Sequence, residues 1–240
     1  PPMRIAGDHS RLAGMTELST DELIALGRDR EAVEAALRGT RCEAGDASAP
    51  GGEAMSEADD VQQLEEVVAL LRQVVAGLTP VQYGDPTPCT AFTVGDVLEH
   101  MIAGATTFAP AFRGGPSPHP VPTDGDTLVR WETAMTELLE AVRTEGAMER
   151  TIASPFGDQP GSAFVRYVAF DGLVHAWDLA RASGQQLEAR NELVAEVDAY
   201  AHGLLVPELR DGDTFAVATE PPAGASGLDR LAAFSGRVVA

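Results

Sequence analysis

Apolar residues in this chain recur at alternating steps of three and four, and that rhythm limits the fold more than any other feature. Val61, Leu64, Val68, Leu71, Val75 and Leu78 share one stripe of an α-helix, because 3.6 residues complete a turn. The run stops at Leu78-Thr79-Pro80. A second stripe, Val94, Val97, Met101, Gly104 and Phe108, opens at Thr93, with Asp96 three residues on as a shortened capping box. The Pro/Gly-rich loop RGGPSPHPVPTDGD leads to a third, Leu128, Trp131, Met135, Leu138 and Val142. A fourth helix is expected from about Ser162 to Ala182, stopped by Gly184, and a fifth from about Asn191 to Leu205. Beyond Pro207 the sequence predicts a short strand over Phe215–Ala218 and a short helix over Leu228–Phe234. The segment TIASPFGDQPG reads as a turn-rich loop too short for an element of its own. No internal repeat is visible. The expected fold is all-α, with four antiparallel helices at its core and a short C-terminal appendage.

The 240 residues divide into an expected bundle domain over 56–240 and an N-terminal extension over 1–55. The extension holds one helical pattern, Thr20 to Arg38, and then GTRCEAGDASAPGGEA, the composition of a flexible linker. Met3, Met15 and Met55 are candidate natural starts, and Met55 fits the start of the folded part. The formal net charge of −20 argues against nucleic acid and anionic membranes, which are bound through clustered positive charge. All 17 basic residues are arginine. Schiff-base chemistry, a lysine general base and a P-loop lysine are therefore excluded. No apolar run approaches the ~20 residues of a membrane span. Asp8 and His9 stand where a signal peptide would be apolar, so the expected compartment is the cytoplasm. Cys42 and Cys89 are too few for a disulfide framework and leave a single bridge open.

Chemistry enters on the fourth helix, whose stripe reads Phe164, Val168, Asp171, His175, Leu179, Ala182. Asp171 and His175 are four apart, so one turn stacks them on the same face of an otherwise apolar seam. A carboxylate placed there needs a partner. It is either a buried Asp–His pair or two ligands of a metal ion, with His100 on the flank of the second stripe as the third ligand. The residues alone leave both open. His9, His119 and His202 read as solvated or locally satisfied. A helix N-terminus beside Cys89 would lower a thiol pKa, but a small buried residue in a tight turn is the simpler reading. Phosphate loops, nucleophile elbows, Cys-x-x-Cys and His-Glu-x-x-His motifs are absent from the sequence.

Three segments, DPTPCTAFTVGDVLEHMIAG, PFGDQPGSAFVRYVAFDGLVHAWDLARASGQ and LDRLAAFSGR, together resemble the DinB-like metalloprotein superfamily across about residues 57–237. The resemblance is to the actinobacterial branch related to the N-terminal domain of mycothiol-dependent maleylpyruvate isomerase. It implies a four-helix bundle binding one divalent metal through a histidine on the second helix and a Glu-x-x-x-His pair on the fourth. Those positions fall on His100, Asp171 and His175. Asp171 stands where the isomerase has Glu, one methylene longer. The region after Pro207 is too short for that enzyme's separate C-terminal domain, so isomerisation of maleylpyruvate itself is not implied. Asp178 either orients a metal ligand or caps a neighbouring helix, Trp177 packs, and Arg230 and Arg237 either face a substrate anion or are solvated. Zinc is the default ion, and two histidines with a carboxylate also suit Fe(II) or Ni(II). The implied activity is a metal-dependent transferase or isomerase using a small thiol, mycothiol in the resembling enzymes, on a small electrophile. A hydrolase using bound water and a non-catalytic metal-binding bundle are the alternatives, and a homodimer is left open.

Overall fold

The computed structural model describes residues 57–115, 124–154, 157–205, 207, 210 and 215–239. The expected N-terminal extension with its helix over Thr20–Arg38, Cys42 and His9 lie outside the described residues, as does His119. The described residues are mostly helical, with one small sheet. Helix α1 spans Glu57–Ala76, α2 Val94–Phe112, α3 Thr127–Val142, α4 Gly161–Ser183, α5 Asn191–Leu204 and α6 Gly227–Phe234. A 3-10 helix, Pro80–Gly84, follows α1. Strands β1, Thr151–Ser154, and β2, Gly157–Pro160, form an antiparallel pair between α3 and α4.

Local chemistry explains the ends. Thr93 caps α2 and is capped in return: its hydroxyl accepts from the Asp96 amide, and the Asp96 carboxylate accepts from the Thr93 amide at 2.9 Å. Asp126 caps α3 by accepting from the amides of Leu128 and Val129. Gly184 ends α4 at φ 70°, a left-handed conformation that glycine adopts without a side-chain clash.

Helix α4 is the axis of the fold. It packs against α1, α2, the β-pair, α5 and α6, while α2 also lies along α3 and α1 touches α3. Every residue from Gly172 to Ala180 is buried in consequence, so the single stripe read from sequence covers only part of its buried surface. The same holds for α1, where Val67 and Val74 join the expected seam residues in the core.

Two expectations are corrected. TIASPFGDQPG is not simply a loop, because Thr151–Ser154 and Gly157–Pro160 pair in register from Thr151↔Pro160 to Ser154↔Gly157. Ile152, Ser154 and Gln159 turn inward, and Gln159 donates to the Ser154 hydroxyl at 3.1 Å. Two of the three inward residues are polar, which hides the alternation a strand normally displays. Conversely, Phe215–Ala218 forms no strand. Its anchors are side chains: Phe215 is buried against Phe170, and Arg210 donates to the Ala216 carbonyl.

The β-pair meets α4 at Gly161, whose amide donates to Arg150 O at 2.8 Å. A Cβ at Gly161 would lie 2.1 Å from the Ala147 carbonyl oxygen, a backbone atom that cannot swing aside. Gly161→Ala is therefore expected to destabilise the protein by about 1–3 kcal/mol. Urea unfolding followed by circular dichroism checks this, and an unchanged midpoint would show that the contact relaxes freely.

Candidate metal centre

The site is assembled from two helices and the loop that enters one of them. Asp171 and His175 stack one turn apart on α4, and His100 faces them from α2. The loop is closed by a bridge between Pro86 and Thr93 and by the Thr87 hydroxyl, which donates to Phe92 O at 2.7 Å. This closure sets the Phe92 ring beside both imidazoles, with centroids 5.4 Å from His100 and 6.1 Å from His175. The sequence reading missed Phe92, since a lone aromatic before a helix cap carries no periodic signal.

The three polar groups converge. His100 Nε2 lies 3.2 Å from Asp171 Oδ2, and His175 Nε2 lies 3.6 Å from Asp171 Oδ1. One ligand atom from each residue falls within 4.8 Å of the other two. Zinc held by imidazole nitrogen and carboxylate oxygen at ~2.0–2.1 Å would set neighbouring ligand atoms about 3.3–3.4 Å apart. The observed separations, 3.2 Å to one Asp171 oxygen and 3.6 Å to the other, are of that order. The longer one exceeds a hydrogen bond, so an Asp–His pair alone does not explain why both imidazoles point Nε2 at one carboxylate. The donor set thus fits a divalent ion, with His175 buried, Asp171 a quarter exposed and His100 the most open of the three.

Electrostatics follow from the same contacts. Burial pushes the Asp171 carboxyl up, but His175, then the hydrogen bond and charge of His100, and then Arg237 overcome it and hold it well below the usual carboxylate range. Burial pushes His100 down, and the hydrogen bond and charge of Asp171 outweigh it, leaving His100 above its ordinary value. Cys89 is raised as well, since burial lifts its thiol against the opposing pull of Arg237. The helix N-terminus therefore does not make it a ready thiolate.

Behind His175 lies a second layer of contacts. Its Nδ1 sits 3.0 Å from Asp178 Oδ2, and Asp178, with no exposed surface, also accepts two hydrogen bonds from Arg237. The alternative that Asp178 caps a neighbouring helix is not what its carboxylate does. Trp177 is buried as expected, and its indole N–H donates to Asp229 at 2.9 Å. Arg230 donates to the Ala225 carbonyl. His202 stacks on Phe234, away from the cluster.

Fold and site together define a mostly helical protein with a His–Asp–His cluster that can bind a metal, shared between two helices. The chain belongs to the family described as mycothiol maleylpyruvate isomerase N-terminal domain, whose match covers residues 64–180 and so includes His100, Asp171, His175 and Asp178. It is also similar to two proteins of Mycobacterium tuberculosis, "Uncharacterized protein MT0763" and "Uncharacterized protein Rv0738". Each is 35% identical over 180 residues, covering 74% of this chain and 96% of theirs. No solved structure matches the chain at a significant level. Among the described residues, no helix is long and apolar enough to cross a membrane.

The opposed shifts of His100 and Asp171 predict how the metal-free protein responds to pH. His100 is raised when folded, so its stabilising contribution is complete below its unfolded value near ~6.5 and is lost as pH rises through the folded value. The contribution of Asp171 is present above its unfolded value and is lost only in strong acid. In chelator, the melting temperature should therefore fall as pH rises above ~6.5 and through the folded value of His100, and His100→Gln should flatten that slope. An equal slope in both proteins would show that the His100–Asp171 contact is not made.

Proposed function

We propose that this chain is a metal-dependent, thiol-using enzyme built on a DinB-like antiparallel bundle of α1, α2, α3 and α4. His100, Asp171 and His175 are the residues that hold the ion, with zinc as the default and Fe(II) or Ni(II) also suited to two histidines and a carboxylate. The observation that carries this reading is the convergence of three ligand atoms, all within 4.8 Å of one another, in a chain of the mycothiol isomerase N-terminal domain family. A divalent ion bound there would supply a Lewis acid able to keep an incoming small thiol deprotonated at neutral pH.

The chain's own residues supply the rest. Three protein ligands leave a fourth tetrahedral position for a co-substrate. His100, the most exposed of the three, marks the open side of the cluster. Phe92 shields both imidazoles with an apolar face, which limits water beside the ligands and strengthens charge interactions there. Asp171, which faces His100 Nε2 at 3.2 Å in the ion-free protein, would carry the negative charge that offsets part of the ion's. The cysteine at position 89 is not the nucleophile in this reading, since its thiol is held up by burial. The thiol comes instead from a mycothiol-type co-substrate that attacks a small electrophile in a transfer or isomerisation.

Metal content by mass spectrometry, on protein purified without chelator, tests the site. About one equivalent per chain is expected, lost in His100→Ala. Mycothiol added to cobalt-substituted protein should then shift the visible absorption bands. Absence of metal after reconstitution would refute the site. A bound ion whose spectrum ignores thiols would refute the thiol chemistry, and turnover of esters without thiol would assign a hydrolase instead.

A further inference from the structure

We propose that Arg237, in the segment after α6, is a positioning residue of the metal centre, acting through Asp178 to fix the ring of His175. This rests on the metal-binding reading above. Arg237 forks onto one carboxylate: Nη2 donates to Asp178 Oδ2 at 2.9 Å and Nε to Asp178 Oδ1 at 3.3 Å. That same Oδ2 faces His175 Nδ1 at 3.0 Å. A two-point fork fixes the plane of the carboxylate as well as its position. The carboxylate in turn holds the proton of His175 on Nδ1 and leaves Nε2 as the atom turned toward Asp171 and His100. The relay is dry, because Asp178 has no exposed surface, His175 is 3% exposed and the Arg237 side chain 11%.

The backbone is built to deliver this contact. Helix α6 ends in the two bonds of a Schellman motif, Gly236 N to Ala233 O and Arg237 N to Ala232 O, both 3.0 Å. Gly236 takes φ 97° to make the reversal, and a Cβ there would lie 2.7 Å from Ala216 Cβ. Arg237 is thereby turned back against α4. A second tie docks α6 on the neighbouring position of α4, since Asp229 accepts from Trp177 Nε1 and from Arg181 Nη2, each at 2.9 Å. That tie holds the same segment without touching Asp178, which provides an internal control.

The test is cobalt affinity, measured by competition with a chromophoric chelator, for the full chain, Arg237→Gln, Arg237→Lys and Asp229→Asn. Arg237→Gln should weaken binding by roughly 10–100-fold, the usual effect of losing an outer partner of a ligating histidine. Asp229→Asn should lower the melting temperature yet stay within about twofold of wild type in affinity. If Arg237→Gln does not fold, Arg237→Lys serves: it keeps the charge but cannot fork, so at least several-fold weakening is expected. In the metal-free protein, nitrogen chemical shifts of His175 should report an Nδ1-protonated ring that becomes a tautomer mixture in the variant. Wild-type affinity in Arg237→Gln or in a folded Arg237→Lys, or an equal loss in Asp229→Asn, would overturn the assignment to Arg237 and leave the metal site standing. A wild-type chain that binds no cobalt would overturn both.

Discussion

The constraint on which the site depends is the complete burial of the Asp178 carboxylate. An ionised group in that position is tolerable only when its charge is paired and its lone pairs are used. Asp178 meets both conditions with two neighbours, His175 one turn before it on α4 and Arg237 from the far end of the described chain. Arg237 is itself buried, which works against its charge, and Asp178 more than restores it, raising the guanidinium above its ordinary value. Each charge makes the burial of the other affordable. His175 is then held at one nitrogen by this pair and at the other faces Asp171, so its ring has little freedom left.

From this follows a division of labour along α4. Its Asp171, His175 and Asp178 run along one side at spacings of four and three, and the remainder of its middle turns is apolar and enclosed. The outermost of the three, Asp171, is a quarter exposed and faces His100, the most open residue of the cluster. The innermost is sealed. Polarity thus grades from an accessible mouth at His100 and Asp171 to a dry interior at Asp178. Phe92 belongs to the mouth and Arg237 to the interior, and neither lies on the seam that defines the helix.

Much of this is legible in the amino-acid sequence, and the parts that are not have physical reasons. Helices announce themselves because burial on one face repeats every 3.6 residues, and Thr93 with Asp96 marks a start because the cap satisfies amides locally. His175 and Asp171 stood out because polar groups on an apolar stripe are exceptional, and the convergence of His100 on them could be expected from its place beside the α2 stripe. What escaped was non-local or disguised. Ser154 and Gln159 point inward in the β-pair, so a polar composition concealed buried positions. Phe215 had the residue type of a strand but lacks a partner ladder. Arg237 was recognisable as a residue of interest, yet its target lies 59 positions away and no periodicity links them.

That last separation bears on what counts as the folding unit. The family match ends at residue 180, within α4, and it contains His100, Asp171, His175 and Asp178 but not Arg237. A chain cut near that boundary would keep every group facing the candidate ion but take away Arg237, the charged partner of Asp178. The same cut would expose Trp177 and Phe170, which pack beneath the final segment through Asp229 and Phe215. The segment after α5 is therefore better regarded as the back wall of the site than as an appendage.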